Sequence, residues 1–149
     1  MDRVRKSTET GVSAITFTDL DIYEDMICDI LGLQHNSGTP NVMIQLSDDN
    51  GSTWDSTNYL CAGNTGTDGF RLVDALPVTT DLIARVEILH FNKLVQTVAR
   101  IGGGRSGATT GRRNEPMYNS QAVKWNALRI TNSGPTNWTA NLGVNLWVP

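Results

Sequence analysis

Along Asp81-Leu82-Ile83-Ala84-Arg85-Val86-Glu87-Ile88-Leu89-His90-Phe91, the residues Leu82, Ala84, Val86 and Ile88 point one way while Arg85 and Glu87 point the other. A period of two is the mark of a strand with one face buried. The following segment, 94–101, repeats the pattern, with Val95, Thr97, Ala99 and Ile101 alternating against Gln96, Val98 and Arg100. Only Phe91-Asn92-Lys93 separates the two, which predicts a β-hairpin.

The same period runs outward in both directions. Ile15 and Phe17 mark a strand over 12–18, and Val42, Ile44 and Leu46 mark another over 42–47. Over 24–33 both alternating sets are largely apolar, which predicts a strand covered on both sides for part of its length. Shorter strands fall at 58–62 and 70–73, and the last two at 122–131 and 138–147. Nowhere do apolar residues recur at helical spacing for three turns. The expected fold is all-β: a single antiparallel β-sandwich, jelly-roll-like, of about eight or nine strands. It occupies residues 12–149, behind a flexible basic N-terminal arm at 1–11.

One strand leads straight into Ser47-Asp48-Asp49-Asn50-Gly51-Ser52-Thr53-Trp54, a full match to S-x-D-x-G-x-T-W, the Asp-box known from sialidase propellers. It occurs once. A chain of 149 residues is one domain of ordinary size, whereas a propeller stacks several four-stranded blades. The motif therefore reads as a structural hairpin built on Ser47, Asp49, Gly51, Thr53 and Trp54: Asp49 and Asn50 accept turn hydrogen bonds, Gly51 permits positive φ, and Trp54 anchors the turn.

Composition narrows the function classes. The formal net charge of −3 argues against a general nucleic-acid binder, which needs a basic surplus. No apolar run reaches the roughly 18 residues of a membrane span, and Met1-Asp2-Arg3-Val4-Arg5-Lys6 lacks the apolar stretch of a signal peptide. Synthesis in a cytoplasm is expected, and with it free, buried thiols at Cys28 and Cys61. His35 and His90 lie far apart and there is no Cys-x-x-Cys, so no metal or other cofactor is expected.

Candidate chemistry is sparse. Asp19, Asp21, Glu24, Asp25, Asp48 and Asp49 sit at turns or strand ends, where carboxylates solvate the chain, and no catalytic set is assigned. The Asp48-Asp49-Asn50 run lacks the spacing and the closing glutamate of an EF-hand. Residues 101–113 hold five glycines and three arginines without the lysine of a phosphate loop. They read as a mobile loop, or as a basic extension carrying Arg105, Arg112 and Arg113 to an acidic partner surface. Arg3, Arg5 and Lys6 form a second basic segment of the same kind.

Taken in order, these pieces resemble a family of small β-sandwich proteins on the surface of tailed-phage virions and in prophage tail regions. The residues that carry the resemblance are Phe17-Thr18-Asp19-Leu20, Tyr23, the strand at 24–33, Ile44 to Trp54 with Tyr59 after it, Val123 to Ile130, Thr131-Asn132-Ser133-Gly134, Trp138 and a closing strand. The ending Leu146-Trp147-Val148-Pro149 departs from the tyrosine-glycine ending expected of the family.

The resemblance implies a non-enzymatic virion part. The chain leaves no room for the anchor and stalk of a tail fibre, so the expected role is a capsid decoration, or cement, protein on the capsid surface, assembled in the host cytoplasm. Its expected partners are the major capsid protein and further copies of itself, around local symmetry as a trimer, with Arg3, Arg5, Lys6, Arg105, Arg112 and Arg113 contacting the shell. The competing reading is a receptor- or carbohydrate-binding module of a tail or head fibre, with Trp54, Tyr59, Trp138 and Trp147 stacking on sugar rings. A sialidase-type enzyme stands third, with no activity expected.

Overall fold

The strand centred on Val86 and its neighbour pair antiparallel, as their alternation predicts, with Val86 opposite Ile101 and Ile88 opposite Ala99. A computed structural model describes residues 1–61, 68–102, 116–134 and 136–149. Among these there are eleven strands and no helix: β1 (Asp2–Ser7), β2 (Ala14–Phe17), β3 (Met26–His35), β4 (Val42–Ser47), β5 (Tyr59–Cys61), β6 (Phe70–Val73), β7 (Leu82–Leu89), β8 (Val98–Gly102), β9 (Met117–Asn119), β10 (Ala127–Asn132) and β11 (Trp138–Val148). They form two antiparallel sheets in a sandwich-like arrangement, one ordered β1-β11-β3-β7-β8-β9-β5 and one ordered β2-β10-β4-β6.

The count exceeds the expected eight or nine because β1 and β9 escape the periodicity test. Residues 2–7, read from the sequence as part of a flexible arm, are paired with β11, Lys6 opposite Asn145 and Ser7 opposite Val144. Backbone hydrogen bonds to an open strand edge hold this segment, and its single apolar residue, Val4, packs against the core.

One core fills the space between the sheets. The seven-stranded sheet contributes Cys28, Ile30, Val86, Ile88, Val144 and Leu146, and the four-stranded sheet Ile15, Ile44, Leu46, Phe70, Leu128 and Ile130, all fully buried. Alternation places eleven of these inward; Phe70 lies in β6, all four of whose residues are buried. Burial pushes the Cys28 thiol up to about 12, with the neighbouring Asp29 charge adding to the effect.

One expectation is corrected and one is refined. The β7–β8 link is not a three-residue turn but residues 90–97. The reason is Phe91, which is fully buried and ties three segments: its N–H donates to the Glu24 carbonyl (2.7 Å) and its carbonyl accepts from the Trp125 N–H (3.1 Å). Secondly, the outer cover of β3 is partial and breaks at one residue, with Ile27, Asp29 and Gln34 half-buried. The inner residues are buried, but Leu31 on the outer face is 44 % exposed.

Candidate functional site

The Asp-box forms the loop that leaves β4. Ser47 Oγ donates to Asp49 Oδ1 (2.7 Å) and accepts from the Gly51 N–H (2.8 Å). Asp49 Oδ1 also accepts the Thr53 N–H (2.8 Å), and Oδ2 accepts the Thr53 hydroxyl (2.7 Å). The Thr53 backbone N–H, then its hydroxyl, then Ser47 hold the Asp49 carboxyl down at about 2. Gly51 has φ +92°, and a side chain there would meet the Trp54 ring at 3.3 Å. Ser47, Asp49, Gly51 and Thr53 thus have partners within the loop.

The loop is not a hairpin. β4 belongs to the four-stranded sheet and β5 to the seven-stranded one, so the box turns a corner between sheets. The N–H groups of Asp49, Gly51 and Thr53 are taken by the side chains of Ser47 and Asp49, where a hairpin would use a paired strand. Asn50, expected to serve its own turn, reaches across instead: its Oδ1 accepts the Asp19 N–H (2.8 Å) and its Nδ2 donates to Asp19 Oδ1 (2.9 Å). The Asn50 N–H donates to Asn126 Oδ1 (2.8 Å), whose Nδ2 donates to the Asp48 carbonyl (3.0 Å). Hydrogen bonds from Asn50, then Thr18, lower the Asp19 carboxyl. Asp19 and Asp49 therefore stand as ionised acceptors, Asp49 within its own loop, while Asn50, through Asp19 and Asn126, locks three loops together.

Beyond the box, the candidate aromatics part company. Tyr59 is fully buried, its hydroxyl accepting the Leu46 N–H (2.7 Å) and its ring set edge-on to Phe70 at 4.9 Å. Trp138 is also fully buried, with Nε1 unpartnered among the described residues. Neither ring offers a face to a sugar, which corrects the expectation of a four-aromatic platform: both fill the inner side of their strands. Trp147 is half-buried on the outer face, where the Arg3 guanidinium lies 5.9 Å from the ring centroid.

Trp54 is half-buried and has the Arg129 guanidinium 4.7 Å from its ring centroid. Arg129 Nε and Nη2 donate to Gln45 Oε1 (3.0 and 2.7 Å), and Gln45 Nε2 donates to the Asp68 carbonyl (2.6 Å). No carboxylate faces Arg129 among the described residues. Desolvation lowers its proton affinity, and the Trp54 ring partly offsets that cost. The nearby Arg71 is the contrast, held between Asp68 (2.7 Å) and Asp74 (2.8 Å). Neither Arg129 nor Gln45 stands out as a site residue in the sequence, because each takes the outward place that an alternating strand leaves to a polar side chain.

Of the basic candidates, Arg3, Arg5 and Lys6 stand exposed on β1, at one edge of the seven-stranded sheet. Arg105, Arg112 and Arg113, and the glycine-rich segment around them, lie outside the described residues. No family model, curated protein or solved structure matches this chain.

Proposed function

We propose that this chain is a non-enzymatic structural protein of a tailed-phage virion, a capsid decoration protein that binds the major capsid protein and stiffens the shell. The observation that carries the reading is the basic edge strand: Arg3, Arg5 and Lys6 are exposed on β1 in a chain of net charge −3. Like charges along an open edge oppose pairing with a second β1 and favour an acidic partner. The resemblance of the strand layout and of Ile44 to Trp54 to virion surface proteins supports the same role, with a homotrimer as the expected assembly.

The test is the copy number and position of the chain on purified particles, by quantitative mass spectrometry and electron microscopy. Many copies distributed over the shell are expected. A particle that lacks the chain, or holds a few copies at one vertex, overturns the reading.

A second reading, a receptor- or carbohydrate-binding module, is favoured by one observation: Trp54 and Arg129, which no carboxylate faces among the described residues, stand together on the outer face of the four-stranded sheet. An aromatic face beside a guanidinium suits an acidic sugar. Binding on a glycan array that Trp54→Ala abolishes without loss of folding would support it; no binding at millimolar sugar would count against it.

A further inference from the structure

Leu142 is 73 % exposed, although β11 lies inside the seven-stranded sheet between β1 and β3. Its side chain lies across Gly32 of β3, where an added Cβ would come within 2.8 Å of Leu142 Cδ1. The register places two more apolar side chains at this spot. Asn141 and Gly143, on either side of Leu142, pair with Leu33 and Leu31. Leu82 and Ala84, on either side of Ile83, pair with Leu33 and Ile30, so that Leu31 and Gly32 together oppose Ile83. Leu31 is 44 % and Ile83 38 % exposed. Such a two-against-one bulge re-aims side chains, and here, with Gly32 at φ +63°, it raises three apolar groups on a face that elsewhere alternates with the core.

The charges around this knob are not balanced. Successive strands place Lys6, Asn145, Asp29 and Arg85 in one row, and Arg3, Trp147, Ile27, Glu87 and Arg100 in the next. With Asp81, two residues before Ile83 and accepting from Gln34 Nε2 through Oδ1 (2.7 Å), that is four cations against three carboxylates, and Asp29 already faces Arg85 at 3.7 Å. A chain of net charge −3 thus presents a basic face with an apolar centre. An apolar centre with a charged rim is the anatomy of a protein interface, and the rim sign selects an acidic partner.

We propose that the outer face of the seven-stranded sheet is a protein-docking surface, with Leu142, Leu31 and Ile83 as its anchor, for a partner surface that presents an apolar depression rimmed by carboxylates. The inference rests on the decoration reading, under which that partner is the capsid shell and the basic strand β1 is the rim of a larger footprint.

The test is co-sedimentation of the purified chain with shells of the major capsid protein assembled without it. Saturable binding is expected, weakening as salt rises. Leu142→Asp should lower affinity at least tenfold with folding unchanged, and Arg85→Glu should lower it and flatten the salt dependence. Leu94→Asp, at an exposed leucine in the 90–97 link, should bind as the unmodified chain does. If the chain binds and Leu142→Asp binds equally well, the docking face is wrong while the decoration reading stands. If the unmodified chain does not bind, both fall. If Leu142→Asp splits an oligomer of the chain and leaves shell binding intact, the face joins copies of this protein and the acidic-partner assignment is overturned.

Discussion

Replacing Tyr59 by Phe tests how the two sheets are joined beside the Asp-box. The last paired residue of β4 with β6 is Ile44, opposite Phe70, so two residues further on the Leu46 N–H has no strand partner on that side. The Tyr59 hydroxyl supplies one at 2.7 Å, and both residues are fully buried. Phe keeps the ring and its edge-on contact with Phe70, so packing is nearly unchanged. What remains is a buried, unsatisfied N–H, which costs about 1–3 kcal/mol. For a domain of this size each kcal/mol lowers Tm by about 2–4 °C, so the variant should melt about 2–12 °C lower. Urea unfolding should show the same loss at unchanged slope. A loss below about 0.5 kcal/mol, within the range of an ordinary surface substitution, would mean that Leu46 finds another acceptor and that Tyr59 is only a packing residue.

Three further outcomes are expected. Because the Asp49 carboxyl is held at about 2, below its ordinary 3.8, its contribution to stability is fully present above pH 3.8 and is lost as pH falls through 2. Asp49→Asn should therefore lower stability at neutral pH and flatten the acid limb of a pH–stability curve; an unchanged limb refutes the assignment. Cys28, with its thiol pushed up to about 12, should resist iodoacetamide in the native protein and react on unfolding, as peptide mass spectrometry would read; native labelling would mean that the core opens at β3. Gly32→Ala forces a side chain at φ +63° and should cost about 1–2 kcal/mol from the backbone alone. Leu142→Ala should recover a further part due to the 2.8 Å contact, a coupling of about 0.5 kcal/mol or more in a double-mutant cycle. Strict additivity would show that Leu142 swings clear of Gly32.

What the sequence revealed of the fold, and what it hid, divides along physical lines. Strands such as β7 were legible because one residue in two must be buried, and Leu82, Ala84, Val86 and Ile88 record that requirement directly. β1 was hidden because Asp2, Arg3, Arg5 and Lys6 carry no such record; backbone pairing to β11 orders them, and any residue but proline can supply it. Met117-Tyr118-Asn119 is too short for a period to show. The Asp-box was legible as a chain reversal from Asn50-Gly51, but not as a corner between sheets, since that depends on Asn126 and Asp19, distant in sequence. The same limit hid the contact of Arg129 with Gln45. Among the aromatics, Tyr59 and Trp138 sit next to polar loops, and nothing local tells an inward ring from an outward one; strand register decides it.

The two functional readings use opposite sides of the sandwich, and this makes them separable. Arg129 alternates with the buried Leu128 and Ile130, so Trp54, Gln45 and Arg129 mark the outer face of the four-stranded sheet. Leu142, Leu31 and Arg85 mark the outer face of the seven-stranded sheet, with the whole core between. A substitution on one face has no direct contact with the other, and effects at such separations add. Trp54→Ala should therefore leave shell binding intact, and Leu142→Asp should leave any sugar binding intact. If both activities were found and obeyed this rule, the readings would cease to compete: the chain would dock by its basic, apolar face and present Trp54 and Arg129 away from the shell. If Trp54→Ala weakened shell binding instead, the footprint would have to wrap around the sandwich edge, and the edge that offers a path is β2, which borders β10 and carries the exposed Thr16 opposite Arg129.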